Sequence, residues 1–112
     1  MIELIVMNYL SSALGVPVFT TEPESPPDSY LLVQKTGSSV RNWIRMATIA
    51  VQSYGISLQE AATLNERVIR AMLEAPSLDE ISSCELNSDY NFTDSRTRRF
   101  RYQAVFDLVY FF

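Results

Sequence analysis

Residues 98–111 read Arg98-Arg99-Phe100-Arg101-Tyr102-Gln103-Ala104-Val105-Phe106-Asp107-Leu108-Val109-Tyr110-Phe111, and their alternation decides the class of the fold. Phe100, Tyr102, Ala104, Phe106, Leu108 and Tyr110 share one parity; Arg99, Arg101, Gln103, Val105, Asp107 and Val109 share the other. Successive side chains leave a strand on opposite sides, so a period of two held this long marks a β-strand with one buried face. The chain must therefore build a sheet, and the face carrying Phe106 needs an apolar cover.

Working back from this strand, residues 93–97 form a polar turn. Before it, residues 81–92 read as another strand, with Cys84, Leu86, Tyr90 and Phe92 in one parity. The cover for the sheet starts at Ser57-Leu58-Gln59-Glu60, a capping box whose hydroxyl and carboxylate can satisfy amides that a helix start leaves unpaired. The helix it opens runs to about Ala75, with Pro76 just beyond. Leu58, Ala61, Ala62, Val68, Ile69, Met72 and Leu73 form its apolar stripe.

Upstream, residues 43–54 read as a strand with two mixed faces, so the sequence leaves open which one meets the core. Tyr30 to Lys35 is a strand that Thr36-Gly37-Ser38-Ser39 is expected to end. Pro23, Pro26 and Pro27 hold residues 21–29 as a loop, and residues 16–19 are short and extended. Ile2, Ile5, Val6, Tyr9 and Ala13 give residues 2–14 a helical apolar face, stopped by Gly15 and Pro17. The order is α-β-β-α-β-β. Short connections between consecutive strands imply an α+β fold, a mostly antiparallel sheet with two α-helices packed on one face.

Composition narrows the function. A chain of 112 residues, 47% apolar and 20% charged, is expected to form a single domain, 1–112, around one modest core. Its formal net charge of −4 argues against a general polyanion binder, since phosphate neutralisation supplies most of the affinity of such proteins. No apolar run approaches the ~20 residues needed to span a bilayer. Met1-Ile2-Glu3 lacks a basic leader, so the expectation is a soluble protein that is intracellular when made.

The chain has no histidine and one cysteine, which removes Ser-His-Asp and Cys-His catalysis and zinc sites built from Cys and His. Cys84 lies in an apolar-alternating stretch and reads as a buried thiol. Three isolated glycines cannot make a phosphate loop. Lys35, the sole lysine, reads as a solvated strand end. Asp89 to Asp94 begins like a calcium loop, but Asp94 stands where the turn glycine belongs and Phe100 where the bidentate glutamate belongs. A polar hairpin end explains those residues better. Asn91-Phe92-Thr93 matches a glycosylation acceptor, a chance match without secretion.

Arg96, Arg98, Arg99 and Arg101 are the one concentration of charge. They read either as a solvated hairpin end or as a contact with acidic side chains of a neighbouring subunit. In a ring of identical subunits they would form a positive band, facing a channel that carries DNA. Trp43, between Arg41 and Arg45, reads either as an interface anchor or as a core residue.

Three stretches carry a resemblance to a known family: Tyr30 to Gly37 (YLLVQKTG), Ile49 to Glu66 (IAVQSYGISLQEAATLNE) and Glu85 to Tyr110 (ELNSDYNFTDSRTRRFRYQAVFDLVY). They resemble small proteins encoded in the tail-assembly modules of long-tailed, siphovirus-type bacteriophages and prophages, in the tail-completion or tail-terminator group. The likeness covers nearly the whole chain. Head-closure and neck proteins share the size and gene neighbourhood of that group.

The resemblance implies a non-enzymatic structural subunit without cofactor or metal. It implies a homo-oligomeric ring, a hexamer, seated on the last ring of the tail tube protein, where it stops tube growth and presents a head-joining surface to the head–tail connector protein. DNA would pass through that ring without sequence-specific binding. The place implied is the head-proximal end of the tail in the virion, after assembly in the host cytoplasm and away from any membrane.

The family supplies no residue motif to carry over. Arg96, Arg98, Arg99, Arg101 and Trp43 are therefore interface candidates on charge and position alone. A free sheet edge at residues 81–92 or 98–111 would let neighbours add strands. The rival readings are a head-completion or neck connector protein and a small nucleic-acid-binding adaptor. The adaptor would stack bases on Phe100, Tyr102 and Phe106, residues that the core also needs.

Overall fold

The computed structural model describes residues 1–97 and 99–111. Their elements are α1 (Ile2–Leu14), β1 (Val18–Phe19), β2 (Tyr30–Arg41), β3 (Ile44–Gly55), α2 (Leu58–Leu73), a short 3-10 turn (Ala75–Ser77), β4 (Ile81–Asn91) and β5 (Phe100–Tyr110). The strands make one sheet in the order β1-β2-β3-β5-β4. This is the expected α+β fold with one addition. The extended stretch after α1 becomes β1, which pairs with β2 in parallel, so the otherwise antiparallel sheet is mixed.

The β5 alternation is realised as read. Ala104, Phe106, Leu108 and Tyr110 are buried in the main core, and Phe100 and Tyr102 are half-buried. Facing them are Ile2, Val6 and Leu10 of α1 and Leu64, Val68, Ala71 and Met72 of α2, so both helices lie on one face of the sheet. The face of β3 that the sequence left open is also settled. Ala47, Ile49 and Val51 meet the helices, while Tyr54 belongs to a smaller cluster on the opposite side.

The helix ends follow their local chemistry. Gly15 takes a left-handed conformation, φ 67°, and its N–H donates to the Ser11 carbonyl. Ser57 Oγ accepts from Glu60 N at 3.1 Å, while Glu60 Oε2 accepts from Ile56 N at 3.3 Å, one residue before the cap. Side chains then tie the layers together: Tyr9 OH donates to the Ala71 carbonyl at 2.7 Å, and Arg67 donates to the Leu14 carbonyl at 2.8 Å. The α2 stripe is narrower than its sequence suggests, because Leu58 and Leu73 at its two ends remain exposed beyond the sheet.

Two strand expectations change. Thr36-Gly37-Ser38-Ser39 does not end β2; the strand bulges between Lys35 and Gly37 and continues to Arg41. The turn is instead Asn42-Trp43, both with positive φ (51° and 67°), as a type I′ two-residue hairpin requires. In β4, bulges between Ile81 and Ser83 and between Leu86 and Ser88 break the expected parity, so Ile81 joins Cys84 in the core while Tyr90 lies opposite Gln103 on the helix-free face. β5 is interior, paired with both β3 and β4. Within the expected edge at 98–111, β5 therefore offers no free edge, whereas β4 does.

Three substitutions test this backbone reading. A Cβ on Gly55 would sit 2.7 Å from Ala61 N, whereas one on Gly37 meets nothing within 4 Å. Gly55→Ala is expected to cost about 1–3 kcal/mol in urea unfolding, with Gly37→Ala near neutral. Trp43→Gly should stabilise the fold on the order of 1 kcal/mol by relieving a bulky residue of its left-handed backbone.

Candidate functional site

The predicted interface residues separate into two places. Trp43 caps the β2–β3 hairpin beside Arg45↔Tyr110, the last pair of the β3–β5 ladder, whereas Arg101 pairs with Tyr54 near the other end. Nine residue steps of strand separate Arg45 from Tyr54, about 30 Å. Trp43 is 98% exposed, so the core reading of this residue fails. Arg98 lies outside the described residues. Arg96 is exposed in the turn before β5.

Arg99 and Arg101 are engaged within the chain. Register places Tyr30 opposite Tyr54 on the helix-free face, and the rings stack at 4.4 Å between centroids, 5° from parallel. Phe19 meets Tyr30 edge-on at 5.7 Å. The Arg99 guanidinium lies 5.0 Å from the Tyr54 ring centre and 5.3 Å from that of Tyr30. It donates to Tyr30 OH and pairs with Glu22 at 3.5 Å, while Tyr30 OH donates to Glu22. Glu22 belongs to the proline loop, so Arg99 fastens that loop to the sheet. Arg101 covers the Phe92 ring at 4.4 Å and donates to the Phe92 carbonyl at 2.6 Å and to Tyr54 OH at 3.0 Å.

From there a polar ladder crosses the sheet. Tyr54 OH donates to Gln52 Oε1 at 2.9 Å, Gln52 Nε2 donates to Gln103 Oε1 at 2.9 Å, and Gln103 Nε2 donates to Tyr90 OH at 2.6 Å. Sequence inspection missed Glu22, Tyr30, Tyr54 and the two glutamines because only the strand register brings them together. The periodicity of β3 carried part of the signal, since Gln52 and Tyr54 share a parity.

The hairpin end before β5 is bound up in its own turns. Asn91 Oδ1 accepts from Thr93 N at 3.0 Å, and Asp94 Oδ1 accepts from Arg96 N at 2.9 Å. That backbone bond is the main reason the Asp94 carboxyl is held below its ordinary range. Among the described residues, no group of three acidic or cysteine side chains is placed to hold a metal ion.

The helix-free face carries a second feature toward the hairpin. It is a groove of about 520 Å³ between two rungs of side chains, Thr48, Asp107 and Glu85 in one and Met46, Val109 and Ser83 in the next. Asp107 accepts from Thr48 Oγ1 at 3.1 Å and from Asn87 Nδ2 at 3.0 Å.

These features describe a small α+β domain with two helices on one face of its sheet and a clamped loop and an open groove on the other. No protein-family model matches the chain, and no curated protein matches it in sequence. A solved structure described as the virion of a native gene transfer agent (GTA) particle contains a chain of similar fold. The two superpose with a TM-score of 0.62 at 14% identity, covering 90% of this chain and 83% of that one. At this identity the likeness is one of fold.

Two predictions follow from the site chemistry. Arg99→Met should lower stability by about 1–2 kcal/mol in urea unfolding, two cation–π contacts outweighing a half-exposed ion pair. Proteolysis within residues 20–29 should quicken, while Arg96→Gln changes neither. Burial, then the charges of Asp107 and Glu85, push the Cys84 thiol up to about 12. Cys84 should therefore resist alkylation at neutral pH until the chain unfolds. Because the folded value lies above the unfolded one, its contribution to stability is present below about pH 9 and is lost as pH rises toward the folded value.

Proposed function

We propose that this chain is a non-enzymatic structural subunit of a phage-like particle, one member of a ring that closes the head-proximal end of a tail tube. The observation that carries this reading is the fold shared along 90% of the chain with a component of a gene transfer agent virion. The tail-module resemblance of the three sequence stretches supports the finer role. The partners are then copies of the chain itself, the tail tube protein and the head–tail connector, with DNA passing through the bore.

The physical character of the surface agrees with such work. β4 leaves one sheet edge open, and β2 beyond Leu32 has no strand partner on the side away from β3 among the described residues. The polar sheet face and the exposed hairpin tip offer further surface. A subunit on a cyclic tube repeats each contact around the ring, so individually weak contacts sum to a stable cap. The nucleic-acid adaptor loses its stacking platform, because Phe106 is completely buried and Phe100 and Tyr102 turn toward the helix side.

The test is electron microscopy of lysates from the encoding phage or prophage with this gene deleted. Overlong, headless tubes are the expected result. Normal-length tails beside full, tailless heads would move the subunit to the connector side. Intact infectious particles would overturn the reading.

A further inference from the structure

The hairpin tip and the sheet groove carry complementary chemistry. Trp43 is 98% exposed, with Val40 at 67% and Ile44 at 48% beside it. A bulky aromatic residue at φ 67° in a two-residue turn is unfavourable where glycine would serve, so folding does not account for it. Arg41, also exposed, stands two residues away. Aromatic and arginine side chains of this kind dominate the centres of protein interfaces.

The groove presents the complement. Met46 and Val109 supply apolar walls, and sulfur suits an aromatic partner. Glu85 and Asp107, both exposed, supply negative charge on the neighbouring rung. A chain cannot place its own tip in its own groove. The pairing of Arg41 with Ile44 and of Arg45 with Tyr110 holds Trp43 beyond the end of the sheet.

We propose that the hairpin tip of one copy docks in the groove of a second copy, with the Trp43 indole between Met46 and Val109 and the Arg41 guanidinium against Glu85 and Asp107. The charge complementarity selects a second copy as the occupant: the basic tip and the acidic groove belong to the same chain. This contact deepens the ring reading above and rests on it for its place in the particle. It predicts contact between subunits through the helix-free face, with the helices turned away from it.

The experiment replaces Trp43 with the photo-crosslinking aromatic p-benzoyl-phenylalanine, in the purified chain at high concentration and in assembled particles. Irradiation is expected to give a covalent dimer whose bridge maps to Met46, Val109 or residues 83–85 of the second copy. Adding Arg41→Glu should cut the dimer yield roughly two- to fivefold, as loss of a half-exposed charge pair does, and Arg41→Glu with Glu85→Arg should recover it.

A bridge to a different protein, a bridge elsewhere on the second copy, or no bridge at all would overturn the docking. None of these touches the ring reading, which the gene deletion decides by tail length. A mapped self-bridge in solution alongside intact deletion particles would uphold the contact and remove the ring role.

Discussion

The β3–β5 ladder runs from Arg45↔Tyr110 to Gly55↔Phe100 without a bulge, and the rest of the molecule hangs on that unbroken register. Both flanking pairings, β2 with β3 and β4 with β5, contain irregularities. In the central pair, parity cannot slip, because a one-residue shift would move every side chain to the opposite face. Phe106 therefore stays beneath α2 while Gln103 and Arg101 stay on the open side. The helices inherit their position from this face, and α1 is secured to α2 by Tyr9 and Arg67 rather than by a broad apolar contact alone. The same register brings Tyr54 opposite Arg101 and thus assembles the clamp on the proline loop.

The helix-free face is consequently divided. At one end, stacked tyrosines, two guanidinium groups and the loop acid Glu22 close the surface over. At the other, the sheet runs on past the loop and leaves a groove and the hairpin uncovered. Aromatic faces and arginine planes do different work at these two ends. Arg99 and Arg101 have ring and carbonyl partners in their own chain, whereas Trp43 has 98% of its surface in solvent. Electrostatics follows the same division. Basic residues of the β5 hairpin are partly matched at home by Glu22 and Asp94, while Glu85 faces outward from the edge strand.

How much of this was legible depended on whether a feature is local. The β5 alternation, the Gly15 stop and the Ser57 cap each rest on a few adjacent residues, and each is found where the sequence puts it. The hairpin turn was hidden because Thr36-Gly37-Ser38-Ser39 has the composition of a turn, while Asn42-Trp43 places a bulky residue where turn chemistry favours glycine. Parity in β4 was hidden by its two bulges, which no spacing rule foretells. The arginine cluster was visible as charge, but its partners are residues 22, 30, 54 and 92, brought to it by register and loop closure. Pattern reading recovers the scaffold; the site arises from pairings between distant segments.

The side-by-side placement of tip and groove also constrains any assembly that uses both. A two-fold arrangement would insert each tip into the other copy's groove, use both contacts at once and stop at a dimer. A head-to-tail arrangement uses one tip and one groove per junction, so an open chain of copies always leaves a tip exposed at one end and a groove at the other. Within the head-to-tail arrangement, only closure into a ring would satisfy every copy. Ring closure would cover an exposed tryptophan on each subunit, which gives a completed ring an advantage over each partial one. Docking of an exposed, backbone-strained Trp43 would favour a two-fold pair and a closed ring alike over an isolated chain. In a closed ring it would make each missing neighbour a penalty, the property that the proposed cap on a tail tube would need.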